Sequence, residues 1–354
     1  MTDLNATTQF ASVDPQGMLG HALALPQTCA DAWELAQRTY PTLNLPSGFQ
    51  HIVIVGMGGS AIGGDLLSAL VADECPCPIM VQRGYQLPAF VQGPETLVIG
   101  VSYSGNTEET LSAFDQAHAR GALLTALTTG GEMLRLANEW HVPVLRFNYP
   151  SQPRAALGYS FVPLLNLLSQ LGLVTGHANA LHEAVDVMHA WQAEIGPEVP
   201  TADNPAKQLA GALRDRAPVV YGAGLLQPVA RRWKTQFNEN AKVWAFFEEM
   251  PELNHNAVVG FEQSASIRGQ TAVITLRSRY DSARIQRRWR VTGELLLREG
   301  VKLYVVEARG QSRLAQMLSA IHFGDLVSVY LALVNDIDPT PVAPINYLKT
   351  QLAS

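Results

Sequence analysis

One short run constrains this chain more than any other. His51-Ile52-Val53-Ile54-Val55 is apolar and β-branched, it stops at Gly56-Met57-Gly58-Gly59-Ser60, and residues 61–71 resume at helical spacing. A continuous apolar, β-branched run suits a parallel strand covered on both faces. Glycines directly after it permit a tight turn into a helix. A single strand–turn–helix unit cannot bury its own apolar faces, so it requires others like it.

Others follow. Residues 78–82, 96–101, 122–127 and 142–147 read as strands, and 108–119 as a helix with two acids in its first turn, where the helix dipole favours them. Residues 26–40 read as a helix ahead of the first strand. After the loop Asn148-Tyr149-Pro150-Ser151-Gln152-Pro153-Arg154, two helices are expected, an apolar one over 161–173 and an amphipathic one over 177–195. The polar, proline-containing stretch 196–205 reads as a boundary. The order then restarts with strands over 218–221, 272–276 and 302–306, a Gly222-Ala223-Gly224 turn, and helices from about Pro228, up to Arg298, and over 314–334. The expected fold class is α/β, with two doubly wound, flavodoxin-like parallel sheets in αβα layers. The expected organisation is a helical segment over 1–45, a first α/β subdomain over 46–195 and a second over 205–354.

Composition excludes several functions. The net charge is −6, whereas a dedicated nucleic-acid binder carries a basic excess. No continuous apolar run approaches the roughly 20 residues of a membrane span, and residues 1–12 lack the pattern of a secretory leader. The three cysteines are odd in number, and Cys75-Pro76-Cys77 has neither metal-knuckle nor redox spacing. A reduced cytoplasmic protein with no metal and no cofactor is expected.

The glycine turn at 56–60 invites a dinucleotide reading, but the next strand ends in Gln82-Arg83-Gly84, with no acid for a ribose hydroxyl. Tight helix–strand packing explains the turn equally well. The second strand end is more informative. Ser102, Ser104 and Thr107 surround Gly105 between a strand and a helix. Hydroxyls, free backbone N–H groups and a helix dipole together make a cradle for one phosphate. The bland explanation is an ordinary helix cap, for which one hydroxyl suffices. There is no lysine of a triphosphate loop.

A polar cluster in the second half is suited to proton transfer. Glu239 stands between Asn238 and Asn240, ahead of Trp244, Phe246 and Phe247. Among buried aromatics its carboxyl would rise toward neutrality and serve as a base, with the amides holding its orientation. The competing reading is an exposed helix end, with Glu239 paired to Lys242. His255, between Asn254 and Asn256, is a proton shuttle or an exposed turn histidine. Arg154 faces a developing oxyanion or is a surface linker residue. Lys349 folds back from a terminal helix or is solvated. His322 and Asp325 share a face of the last apolar helix and read as a core pair or an interface.

These elements together resemble the bifunctional phosphoglucose/phosphomannose isomerases of the sugar isomerase (SIS) superfamily. The matching motifs are Gly56-Met57-Gly58-Gly59-Ser60, Ser102-Tyr103-Ser104-Gly105-Asn106-Thr107, Gln152-Pro153-Arg154 with Gly158-Tyr159, Asn238-Glu239-Asn240 with Lys242, Pro251-Glu252-Leu253-Asn254-His255-Asn256, and Leu348-Lys349. The resemblance implies two SIS subdomains and a homodimer. It implies that Gly59, Ser60, Ser102, Ser104 and Thr107 hold the phosphate of a hexose 6-phosphate, with Glu239 as the base of a cis-enediolate aldose–ketose isomerisation. His255, reaching in from a partner subunit, and Lys349 would assist ring opening, and Arg154 would stabilise the enediolate. In the family a threonine shortly before the terminal lysine is linked to the mannose epimer. Here Val342 and Thr340 stand in that region. The alternatives are a non-catalytic phosphosugar-binding sensor, which needs no Glu239, His255 or Lys349, and the isomerase half of a glucosamine-phosphate synthase.

Overall fold

The computed structural model describes residues 2–262 and 264–352. The chain forms two compact units. One holds Ala24–Asp186 with Ser312–Ala315, and the other holds Met1–Leu23, Val187–Gln311 and Gln316–Ser354.

The first unit opens with helix α1 (Leu25–Thr39). Strands β1 (His51–Val55), β2 (Ile79–Gln82), β3 (Thr96–Ser102), β4 (Leu123–Thr128) and β5 (Val144–Arg146) form a fully parallel sheet in the order β2-β1-β3-β4-β5. Helices α2 (Gly58–Leu70), α3 (Glu108–Ala119), α4 (Gly131–Glu139), α5 (Leu157–Gln170) and α6 (His177–Ile195) complete the series, α6 continuing into the second unit. Alternation along the strands divides the core: Val53, Val55 and Val98 pack with Phe114 of α3 and Met133 of α4. The helices α2 and α5 begin earlier than expected, at Gly58 and Leu157, so Gly59 and Ser60 lie in the first turn of α2 and Gly158 in the first turn of α5.

In the second unit come helix α7 (Pro205–Leu213), strands β6 (Ala217–Ala223), β7 (Phe246–Met250), β8 (Thr271–Arg277) and β9 (Lys302–Glu307), and helices α8 (Gln227–Glu239), α9 (Ala283–Arg298), α10 (Arg313–Val334) and α11 (Ala343–Leu352). Its sheet, β7-β6-β8-β9, is also parallel throughout and follows the same order as the first four strands of the other. Tyr221 and Val273 pack on Trp289 and Leu296 of α9. Three of the labelled elements lie outside the sequence expectation, α4, β7 and α7. By length and hydropathy α10 could cross a membrane, contrary to the reading of the sequence, but 94% of its apolar window is buried inside the fold. His322 and Asp325 are both buried in α10 and take separate partners. Gln192 lies against the imidazole, while Arg232 and Gln236 hold the carboxylate.

Candidate active site

The loops after β1 and β3 leave the carboxyl end of the first sheet at the position where strand order reverses, between β1 and β3. That is where doubly wound sheets open a crevice for ligands. Helix α2 starts there with no side-chain cap on its first N–H groups, and α3 likewise, although Thr107 occupies its N-cap position. The ordinary-cap explanation for the hydroxyls therefore fails at Thr107. Ser102 Oγ lies 3.2 Å from Thr107 Oγ1 and accepts the Gly105 N–H at 3.0 Å. Ser104 Oγ, on the exposed rim, accepts the Asn106 N–H at 3.2 Å, and Ser60 Oγ accepts the Tyr103 N–H at 3.1 Å. A hydroxyl that accepts one N–H keeps its own proton to donate, which is the arrangement an anion needs. Gly59, Ser60, Ser102, Ser104 and Thr107 are thus brought together.

A loop the sequence reading passed over forms the floor beneath them. Thr128-Thr129-Gly130-Gly131, at the end of β4, packs its backbone on the β3 loop. Thr129 Oγ1 donates to Tyr103 O at 2.7 Å, Met133 N–H to Gly105 O at 2.9 Å, and Asn106 Oδ1 accepts the Glu132 N–H at 2.9 Å. Gly105 has φ +70°, and a Cβ on it would fall 1.8 Å from Gly130 O. A Thr-Thr-Gly-Gly run at a strand end was the available signal.

Arg154 sits on the single 3-10 turn Pro153–Ala155 and is only 3% exposed. That turn presses on the start of α2, since a Cβ at Gly59 would meet Pro153 O at 2.9 Å and Arg154 N at 3.1 Å. The loop before it is held by Tyr103, whose hydroxyl lies 2.6 Å from Tyr149 O and accepts the Ser151 N–H at 3.0 Å. Stacked rings of Phe147, Tyr149 and Tyr159 back this loop. A buried guanidinium beside two helix N-termini makes this corner of the unit attractive to an anion.

The other expected residues belong to the second unit. Glu239 is the last residue of α8 and is half-buried. Asn238 Nδ2 donates to Val243 O at 2.9 Å and Asn240 Nδ2 to Ser328 Oγ at 2.9 Å. Lys242, at φ +56°, donates its ammonium to the carbonyls of Glu239 and Pro339. This ties the Asn-Glu-Asn turn to the segment holding Thr340, which is buried. Trp244 is 78% exposed and Phe246 is exposed as well, so the aromatics expected to surround Glu239 do not form a buried wall. Lys349 is exposed on α11.

His255 is exposed at the end of the 3-10 turn Glu252–His255. The flanking amides hold this loop rather than the imidazole. Asn254 Nδ2 donates to Thr292 Oγ1 and its Oδ1 accepts from Arg288, both at 2.9 Å, while Asn256 Nδ2 donates to Glu252. Gln227 Nε2 donates to Met250 O, which pins the strand leading to His255 against the first residue of α8. Glu239 is the last residue of that helix, and the helical rise puts about 18 Å between its two ends. Within one chain, then, Glu239 and His255 lie toward opposite ends of α8.

A relative from Caldicellulosiruptor bescii, a bifunctional phosphoglucose/phosphomannose isomerase, is 42% identical over 332 residues, which is 93% of this chain and 97% of that protein. The chain belongs to the bifunctional phosphoglucose/phosphomannose isomerase family. Members from Thermoplasma acidophilum (35% identical, 86% of this chain and 90% of the relative) and Aquifex aeolicus (33%, 86% and 91%) agree. Residues 202–352 match the bacterial phospho-glucose isomerase C-terminal SIS domain. The fold is shared with the C-terminal domain of a glucosamine-fructose-6-phosphate aminotransferase from Francisella tularensis, at TM-score 0.69 and 15% identity, covering 92% of this chain and 98% of that one. It is shared also with a glucose-6-phosphate isomerase like protein from Thermus thermophilus, at TM-score 0.61 and 21% identity, covering 98% and 99%. In this phosphoglucose/phosphomannose isomerase family member the second sheet, β7-β6-β8-β9, lies within the residues that match the SIS domain.

Proposed function

We propose that this chain interconverts glucose 6-phosphate and mannose 6-phosphate with fructose 6-phosphate, without a cofactor, as a cytoplasmic homodimer. The observation that carries the reading is the set of hydroxyls and uncapped helix N–H groups after β1 and β3. It suits a single phosphate and leaves the remainder of the sugar to other residues.

In this mechanism Ser60, Ser102, Ser104, Thr107 and the Gly59 backbone anchor the phosphate. His255 and Lys349 open the ring by exchanging protons with the ring oxygen and the anomeric hydroxyl. Glu239 takes the proton from C2 of the open aldose, and Arg154 balances the charge that gathers on the cis-enediolate oxygens. With the O2 hydroxyl proton passed to O1, Glu239 returns its proton to C1, giving the ketose. Return to the opposite face of C2 gives the mannose epimer. The separation of Glu239 from His255 within one chain is the reason to assign His255 to the site of a second copy.

A coupled assay from fructose 6-phosphate, following glucose and mannose products separately, tests this. Both products are expected. Glu239→Gln is expected to lower kcat by at least about 10²-fold, the scale of general acid–base catalysis. Retention of most turnover by that variant removes Glu239 as the base.

A further inference from the structure

The helix that ends in Glu239 is locked by a buried polar rail that the proposed chemistry does not use. Arg232, Gln236 and Asn240 recur every fourth residue along α8 and its end, facing α10. Arg232 Nη2 pairs with Asp325 Oδ2 at 2.5 Å, with both side chains almost wholly out of solvent. Gln236 Nε2 donates to Asp325 Oδ1 at 2.9 Å. Asn240 Nδ2 donates to Ser328 Oγ, which itself donates to Asp325 O at 2.7 Å. Asp325 is thus the hub, receiving three donors from two helices.

The same two helices already touch closely through apolar contact. Trp233 lies directly on Gly324, where a Cβ would come within 2.1 Å of the indole, and Trp233 Nε1 donates to Ala320 O at 2.9 Å. Adhesion therefore does not need an ion pair, and well-packed apolar residues hold helices at least as well as a buried pair does. What directional bonds add is rotational and axial register. Glu239 follows Arg232 by seven residues, two turns further along nearly the same stripe, so the register set at Asp325 fixes the face of α8 from which the Glu239 side chain leaves the helix.

We propose that Asp325 is a positioning residue for Glu239, orienting the end of α8 through Arg232, Gln236 and the Ser328–Asn240 bond. This rests on the reading of Glu239 as the base. The test measures kcat, KM for fructose 6-phosphate, the kcat–pH profile and Tm for Asp325→Asn, for the paired Arg232→Met/Asp325→Leu variant, which leaves no lone buried charge, and for the milder Ser328→Ala. The expected result is a kcat at least tenfold lower in Asp325→Asn and in the paired variant, and a few-fold lower in Ser328→Ala. KM should stay within about twofold, and the acidic limb of the kcat–pH profile should move. Should Asp325→Asn fold poorly, the paired variant and Ser328→Ala carry the same readout. An unchanged kcat and pH profile in the variants that fold, with only Tm lowered, overturns the proposal and leaves a structural role. Glu239→Gln, measured alongside, separates the two readings. If it retains turnover, the base assignment fails. If it is inactive while the rail variants keep full kcat, only the positioning fails.

Discussion

Ser60 Oγ accepts the backbone N–H of Tyr103 at 3.1 Å, joining the loop after β1 to the loop after β3 across a sequence separation of 43 residues. The bond does two things at once. It satisfies an N–H in a bend that no ladder can serve, and it turns the Ser60 proton away from the protein backbone and leaves it available to a ligand. The two phosphate loops thus become one rigid cradle before any sugar arrives.

Ser60→Ala is expected to raise KM for fructose 6-phosphate by about tenfold or more, with kcat changing less. A hydrogen bond to a charged group is worth about 1.5–3 kcal/mol, and this change also orphans the Tyr103 N–H. Initial-rate kinetics check it. Binding of inorganic phosphate, read as a rise in Tm, should weaken in parallel.

Gly105→Ala is expected to be far more damaging. Its left-handed φ costs an alanine about 1 kcal/mol or more, and the added Cβ would overlap Gly130 O. The floor loop at 128–131 must move, taking Ser102 and Thr107 with it. Tm should fall by several degrees and phosphate-dependent stabilisation should largely disappear, both measurable by thermal unfolding with and without phosphate.

How much of this was legible depended on how one-sided the local physics was. The inner strands β1, β3 and β4 of the first sheet read directly because they are largely apolar runs buried on both faces. Strand β7 was missed because Glu248 and Glu249 interrupt it. It lies at the sheet edge and is half open to solvent, so its sequence is not that of a buried strand. Helix α7 carried a readable signal, Asn204 accepting the Ala206 and Lys207 N–H groups with Pro205 in the first turn, but its apolar content is short. Gly58 and Gly59 are poor helix formers, and α2 begins there because only a glycine at 59 admits the backbone of Pro153 and Arg154.

The cradle hydroxyls were legible as a cluster on a strand end. Their floor left only a Thr-Thr-Gly-Gly run at a strand end as a signal, because its closest contact, Gly105 against Gly130, is backbone on backbone. The aromatics after Glu239 misled for the opposite reason. Trp244 and Phe246 are apolar by type, yet Trp244 stands in the loop before β7 and Phe246 opens that edge strand, and both are exposed. The role of the Arg232–Asp325 pair is a matter of helix register, which no spacing in either helix alone discloses.

Tyr103→Phe tests how Arg154 is held. The lost hydroxyl accepts the Ser151 N–H and lies against Tyr149 O, so the 148–154 loop should loosen while the stacked rings remain. A stability loss of about 1–2 kcal/mol is expected from the orphaned backbone groups. Because Arg154 rides on that loop, kcat should fall more than KM rises. Denaturant unfolding and initial rates measure the two effects separately.

His322 supplies the pH prediction. Burial, and secondarily the nearby His189, push its imidazole from the ordinary 6.5 down to about 3. Gln192 lies 3.2 Å from Nε2 with its amide nitrogen, which suits a neutral ring accepting at that atom. Between about pH 6.5 and 3 the unfolded chain binds a proton here that the folded chain does not, so stability rises with pH and is lost as the solution is acidified below about 6.5. At about 1.4 kcal/mol per pH unit, acidification from 6.5 to 5 should cost about 2 kcal/mol through this group alone. Asp325, whose carboxyl burial pushes up, acts in the opposite sense as it protonates. The measurement must therefore be differential. His322→Gln keeps an acceptor for Gln192 and removes the titration. The urea unfolding midpoint of the parent should fall relative to that of the variant as pH drops from 7 to 5, because only the parent carries this titration. Parallel midpoints across that range would mean that His322 takes up its proton without unfolding.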